Sequence, residues 1–279
     1  MNKSLANSHA TPKRMLPFLK WAGGKRWLIE QHADLIPQKF GRYFEPFLGS
    51  GSIFFHLAPR AATLSDTNHE LIECYEQIKL YPKQIRGLME VHHRCHSEEH
   101  YYSVRAKAYS DPIERAAKFL YLNRTCFNGI YRVNLKGTFN VPMGTKTNVV
   151  LGTDDFEAIA SLLSTVTLLK ADFETAVAGS ARGDLIYFDP PYTVNHNNNG
   201  FLKYNEKIFS WSDQVRLRDA VESAASRGVT VMVSNAAHDS VIKLYDGIGE
   251  THLLSRASVL SGNASGRGRY DEILVVVNG

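Results

Sequence analysis

The clearest chemistry in this chain is offered by Asp189-Pro190-Pro191-Tyr192, directly behind the apolar run Leu185-Ile186-Tyr187-Phe188. Two consecutive prolines end a strand, because neither donates to a sheet ladder and each restricts the residue before it. The backbone just past the strand is thereby fixed. An acid, a proline carbonyl and an aromatic face then meet in one turn, at the strand edge where open α/β sheets bind ligands. An aromatic amine asks for that set: two acceptors for its N–H groups and a flat surface for its ring. Taken alone, the tetrapeptide also reads as a strand-ending turn with an incidental acid.

A second constellation is Phe44-Glu45-Pro46-Phe47-Leu48-Gly49-Ser50-Gly51-Ser52. Gly49 and Gly51 let backbone approach a ligand and open a helix, and Glu45 sets a carboxylate beside them. Asp66 follows the next apolar run, Ala62 to Ser65, at a spacing suited to the two hydroxyls of a ribose. Asp172, after Val166 to Lys170, can accept from an adenine amine; alone it reads as an ordinary surface acid. Trp21-Ala22-Gly23-Gly24-Lys25 is not a phosphate loop, because its first glycine is missing and Arg26 stands where Ser or Thr is required. What remains is a Gly-Gly turn with a lysine. His92, His96 and His100 share one helical face beside Cys95, but no paired cysteines accompany them. The spacing reads as a solvated helix face, and no metal is expected.

Positioning these residues takes a fold with strand ends on one edge. At 279 residues, 44% apolar and 22% charged, the chain has the composition of a packed globular protein rather than a disordered one. Its strand, glycine turn, helix, strand, acid order over residues 43–66 is the first half of a dinucleotide-type α/β unit. Residues 68–151 break that rhythm. Glu70 to Ile78, Lys83 to Cys95, Tyr101 to Tyr109 and Ile113 to Leu122 have helical spacing of apolar residues, and Asn123 to Gly144 reads as a hairpin-bearing segment. The α/β rhythm then resumes: a helix from Asp155 to Leu163, strands at Val166–Lys170 and Asp184–Phe188, a helix from Asp213 to Ser226, and strands at Val229–Val233 and Ile273–Val277.

The net charge of +4 permits an anionic partner, and its distribution says more. From Arg115 to Thr153 there is no Asp or Glu, while Arg115, Lys118, Arg124, Arg132, Lys136 and Lys146 are basic. Phe119, Tyr121, Phe127, Tyr131 and Phe139 are interleaved, a pattern suited to a nucleic acid that presents bases for stacking. Three unpaired cysteines, an N-terminus without an apolar core and no run of about 20 apolar residues predict a soluble cytoplasmic protein without membrane attachment.

Together the boxes at Trp21–Lys25, Phe44–Ser52, Leu64–Asn68 and Asp189–Tyr192 resemble the Dam family of DNA adenine-N6 methyltransferases, in the motif order called the alpha class. Leu122-Asn123-Arg124, Phe127 to Arg132 and Phe139 to Gly144 look like that family's target-recognition hairpin. The resemblance runs from about Pro17 to the end. It implies a Rossmann-like α/β sheet that binds S-adenosylmethionine, with a helical target-recognition insert and hairpin. The implied division is a flexible arm (1–14), a catalytic cofactor-binding domain (15–67 and 152–279) and a target-recognition domain (68–151).

By the same resemblance, Trp21, Lys25, Glu45, Gly49, Gly51 and Asp66 contact the cofactor and Asp172 holds its adenine. Asp189 and the Pro190 carbonyl bind the target N6, and Tyr192 stacks on the flipped base. Arg132 reads a guanine edge bidentately, Phe127 stacks near the gap left by flipping, and Arg124, Asn128, Ile130, Asn140 and Pro142 complete the DNA contacts. Phe127 and Ile130 stand where close relatives carry tyrosine and leucine. The implied partner is double-stranded DNA, at GATC or a longer site beginning GAT, with no obligate protein partner and a monomer as the default. Three rivals fare worse. An RNA or protein methyltransferase of this fold usually has Asn in place of Asp189, a non-catalytic DNA-binding module would not keep every acceptor, and an NAD-dependent oxidoreductase needs a third glycine where Phe54 stands.

Overall fold

The computed structural model describes residues 15–129, 131–132, 138–193, 209–257 and 269–279. The expected arm, Ile130, Lys136 and the loops 195–200 and 262–268 lie outside the described residues.

Seven strands form one sheet: β1 (Tyr43–Glu45), β2 (Ala62–Asp66), β3 (Val166–Lys170), β4 (Leu185–Phe188), β5 (Thr230–Ala236), β6 (Glu250–Ala257) and β7 (Arg269–Val277), in the order β3-β2-β1-β4-β5-β7-β6. The first five of that order are parallel, and β7 runs antiparallel to both β5 and β6. The order reverses between β1 and β4, which places a ligand crevice at their carboxyl ends. This is the Rossmann-like α/β architecture that the motif order implies.

Burial follows the sheet's two-residue period. Tyr43, Leu64, Leu185, Tyr187 and Leu274 enter one apolar cluster, whereas Phe44, Ile186, Phe188 and Ile273 enter a second. The first cluster is covered by α3 (His69–Leu80), α4 (Pro82–Cys95), α5 (Glu98–Ala106), α6 (Pro112–Thr125) and α7 (Phe156–Leu163), counted after α1 (Arg26–Gln31) and α2 (Ser52–Leu57). The second lies under α8 (Phe173–Val177), α9 (Trp211–Ser226) and α10 (Asp239–Leu244). With helices on both faces, β4 is apolar and buried throughout.

Helix starts are set by local chemistry. Asn68 accepts from the Leu71 amide to open α3, and Asp111 accepts from Ile113 with Pro112 in the first turn of α6. Ser210 and Asp213 form a reciprocal capping box on α9. The four helices expected over residues 68–122 are present. Helix α3 lies against β2 and β3 and also against α6, so the helical block shares its core with the sheet. The sequence reading missed α1, α8, α10 and β6. The three helices have six residues or fewer, and β6 is an edge strand whose mixed sequence leaves Leu253 66% exposed.

Candidate active site and nucleic-acid surface

Because β3, β2, β1 and β4 are parallel neighbours, each delivers an acid to the same edge. Glu45 and Asp66 close β1 and β2, Asp172 follows β3, and Asp189 follows β4. At the usual spacing between strands the four span about 15 Å. Asp66 receives the Gly49 amide at 3.2 Å on one oxygen and the Asn68 amide at 3.0 Å on the other, so the glycine turn is fastened to the second strand. Gly49 has φ +47°, and a Cβ there would lie 2.6 Å from Trp21 Cδ1. Only glycine lets the Trp21 ring sit over that backbone.

Glu45 is buried, accepting from the Tyr43 hydroxyl at 2.8 Å and the Phe54 amide at 3.1 Å. Burial pushes its carboxyl up to about 8, against those two hydrogen bonds and with the Asp189 charge adding to the rise. At neutral pH it is therefore mostly protonated. Asp172 caps α8 by accepting from the Glu174 amide, and it pairs with Arg216 at 3.0 Å.

The Asp189 turn is held from two sides. In front, Lys25 Nζ lies 2.8 Å from Asp189, donates to the Gly23 carbonyl at 2.7 Å and sits 5.0 Å from the centre of the Tyr192 ring. Behind, the Thr193 hydroxyl donates to the Phe209 carbonyl at 2.6 Å, and the buried Gln214 amide approaches the Pro191 carbonyl while accepting from Asn235 at 2.9 Å. The Lys25 side chain is 3% exposed and that of Asp189 is 19% exposed, so the acid is the accessible member of the pair.

The recognition candidates fare unevenly. Phe127 (55% exposed), Asn128, Arg132, Asn140 and Pro142 all face solvent on one segment; Ile130 lies outside the described residues. That segment is anchored through backbone. The Phe127 amide donates to the Pro142 carbonyl at 2.9 Å and the Gly144 amide to the Thr125 carbonyl at 2.8 Å. Asn128 adopts φ +57°, a left-handed conformation that Asn tolerates.

Arg124 does not belong to this surface. It is 4% exposed, makes a bidentate pair with Asp154 at 2.6 and 2.8 Å, and donates to the Phe18 and Val149 carbonyls. A guanidinium committed to those acceptors reaches no DNA, so its expected contact is replaced by an internal tie. The interleaved aromatics are corrected similarly. Phe119, Tyr121 and Phe139 are buried, and Tyr131 is stacked on Phe139 with its hydroxyl on Glu70; the exposed ring of the run is Phe127. Arg115 is likewise paired, with Glu73.

The histidine face is also not simply solvated. His92 is buried, stacks on Tyr121 at 4.6 Å and lies 3.0 Å from His100, and burial lowers its imidazole to about 4. Among the described residues no group of three or more His, Cys, Asp or Glu side chains is placed to hold a metal ion.

One active-edge residue was not read from the sequence: Glu272, 3% exposed, which receives the Tyr192 hydroxyl at 2.5 Å and lies 3.5 Å from Lys25. Its signal is an acid inside the strand sequence Tyr270 to Val277.

The model of the family described as D12 class N6 adenine-specific DNA methyltransferase matches residues 21–260. The chain belongs to that family. Among similar proteins, the type II methyltransferase M1.LlaDCHI of Lactococcus lactis subsp. cremoris is 39% identical over 93% of this chain and 94% of its own. M.MjaIII of Methanocaldococcus jannaschii is 32% identical, covering 94% and 98%. The DNA adenine methylase of Vibrio cholerae is 32% identical, covering 95% and 96%. This chain is thus an adenine-specific DNA methyltransferase, and its methyl donor is S-adenosylmethionine. The edge suits that donor: bare glycine backbone, the Trp21 ring and a row of acids match a nucleoside carrying a cationic sulfonium. No helix among the described residues is long and apolar enough to cross a membrane.

Proposed function

We propose that this enzyme methylates adenine N6 within GATC in double-stranded DNA, on a flipped base and by direct transfer. The single observation that carries the reading is the Asp189 turn. It presents a partly exposed carboxylate, held by Lys25, at the edge where the order of the sheet reverses. A stacked adenine cannot bring N6 to such a crevice, so the base leaves the duplex. Asp189 and the Pro190 carbonyl accept the two N–H bonds of the amine, drawing its nitrogen toward a tetrahedral form whose lone pair is available. The Tyr192 ring supports the base. S-adenosylmethionine, when bound, supplies a methyl group already activated on sulfur. N6 would take that carbon as its bond to sulfur breaks and a neutral thioether leaves, and would shed one proton, for which Asp189 is the acceptor. Placement contributes several kcal/mol of the lowered barrier, and no covalent cysteine is required: Cys74 and Cys126 are buried.

In the same reading Trp21, Lys25, Glu45, Gly49, Gly51, Asp66 and Asp172 hold the donor. Residues 68–151 carry recognition, with 15–67 and 152–279 as the catalytic part. Arg132 reads guanine through its bidentate fork, Phe127 enters the gap left by the flipped base, and Asn128, Ile130, Asn140 and Pro142 complete the contact. Support for the site comes from the exposure of Phe127, Asn128, Arg132, Asn140 and Pro142 on one anchored segment. The test uses methyl-labelled S-adenosylmethionine with a GATC duplex and a scrambled one. Label recovered as N6-methyladenine from the GATC duplex alone is the expected result. Equal labelling of both duplexes, or of neither, contradicts the site assignment.

A further inference from the structure

Glu272 reaches the active edge by an unusual route. The other acids of that edge follow the carboxyl ends of parallel strands. Strand β7 runs the opposite way, and Glu272 pairs in register with Ala236, the last residue of β5. The beginning of β7 therefore meets the end of β5, and an acid near the start of the last strand faces the same crevice. There it touches Tyr192 of the proposed catalytic set and Lys25 of the proposed donor-holding set. Its Oε2 receives the Tyr192 hydroxyl at 2.5 Å, and the same oxygen lies 3.5 Å from Lys25 Nζ. Lys25 is thus shared between two carboxylates, closer to Asp189 at 2.8 Å and farther from Glu272.

We propose that Glu272 is a positioning residue for methyl transfer: it fixes the Tyr192 ring and takes part of the Lys25 charge, leaving the Asp189 carboxylate open to the target amine. This inference rests on the reading of Asp189 and Tyr192 given above. Its physical basis is competition. A buried ammonium is drawn to whichever anions surround it, and low local dielectric makes the choice strong. Without Glu272, Asp189 is the carboxylate left to Lys25, and its oxygens then serve the lysine more than the amine N–H groups. Burial matters equally, since the Lys25 and Glu272 side chains are 3% and 4% exposed and water is poorly placed to substitute for either. The ring of Tyr192 loses its tether in the same step.

The test is Glu272→Gln in the full-length enzyme. The amide keeps the shape and an acceptor for the Tyr192 hydroxyl but removes the charge. Single-turnover methylation of a GATC duplex is expected to slow about 10-fold or more, as for loss of one preorganised polar contact. The KM for duplex and the affinity for S-adenosylmethionine, read by calorimetry, are expected to stay within about 2-fold, because Glu272 is placed to orient groups that bind rather than to bind. Glu272→Asp keeps the charge but withdraws it by one methylene, and its rate is expected to lie between the two. If Glu272→Gln does not fold, the rate and affinities of Glu272→Asp decide alone. A Tyr192→Phe background separates the two routes: a further loss from Glu272→Gln there reports the Lys25 route, and none reports the Tyr192 route, each within the proposal.

A wild-type rate for Glu272→Gln, or a rate that falls only in step with cofactor and duplex affinity, overturns it. Asp189→Ala serves as the control. If that variant is inactive while Glu272→Gln is fully active, only the Glu272 inference fails. If Asp189→Ala turns over normally, the reading of the turn fails and the inference falls with it.

Discussion

The proposed catalytic edge and the proposed recognition segment are held in opposite ways. At the edge, side chains fasten one another: Lys25 to Asp189 and Glu272, Tyr192 to Glu272, Tyr43 to Glu45, and Asp66 to the Gly49 backbone. In the segment from Phe127 to Gly144 the backbone is fastened, through Pro142, Thr125 and the Cys126–Met143 bridge, while Phe127, Asn128, Arg132, Asn140 and Pro142 project into solvent. Methyl transfer needs groups fixed before the substrate arrives, so its charges are buried and cross-linked. Sequence readout needs side chains that exchange water for base edges, so its polar groups stay outside on a fixed frame. A shared anchor joins the two regions. Asn123, at the end of α6, accepts the Lys20 amide at 3.0 Å and donates to the Lys20 carbonyl at 2.7 Å, and its neighbour Arg124 grips Phe18.

The largest stability effect should come from that anchor. Arg124→Ala leaves Asp154 buried without its cation and is expected to cost roughly 3–5 kcal/mol in denaturant unfolding. Arg132→Ala should leave unfolding unchanged and weaken discrimination at one base pair by about 1–3 kcal/mol, read as the ratio of kcat/KM on GATC and CATC duplexes. The two arginines are eight residues apart in one basic stretch, and equal effects on stability would erase the distinction between frame and readout. Phe127→Ala is expected to weaken binding to the flipped-base complex by about 1–3 kcal/mol, judged by duplex affinity, again with no change in unfolding.

A further effect is a trend with pH. Glu45 is raised from the ordinary 4.5 to about 8, so the folded state holds a proton that the unfolded state has released between those values. Stability from this group is full below about 4.5 and declines as pH rises toward 8. Thermal unfolding of wild type and Glu45→Gln at pH 5 and pH 8 checks the sign: the amide variant should gain relative stability at the higher pH.

The placement of acids along the candidate edge was legible because strand ends in a parallel sheet obey a local rule. An apolar run followed by Asp66, Asp172 or Asp189 locates each acid without any knowledge of its neighbours. Glu272 escaped because an antiparallel last strand reverses that rule, and its direction is set by pairing with β5, not by its own residues. Arg124 was misread for a related reason. Its partner Asp154 lies 30 residues on, just past the stretch without acids, and no local pattern shows that the two meet in the core. His92 looked solvated because the helical period of α4 was visible while Tyr121, which covers it, belongs to α6. Short helices such as α8 carry too few residues for periodicity to register, and the mixed sequence of the edge strand β6 hides its alternation.

The most direct measurement is Asp189→Ala, assayed for single-turnover methylation and for duplex affinity on the same GATC oligonucleotide. The account predicts that transfer falls by on the order of 10²–10³-fold or more, while affinity and the preference for GATC over a scrambled duplex persist. Transfer at the wild-type rate, or loss of duplex binding in step with loss of transfer, would contradict the assignment of chemistry to the edge and readout to the segment.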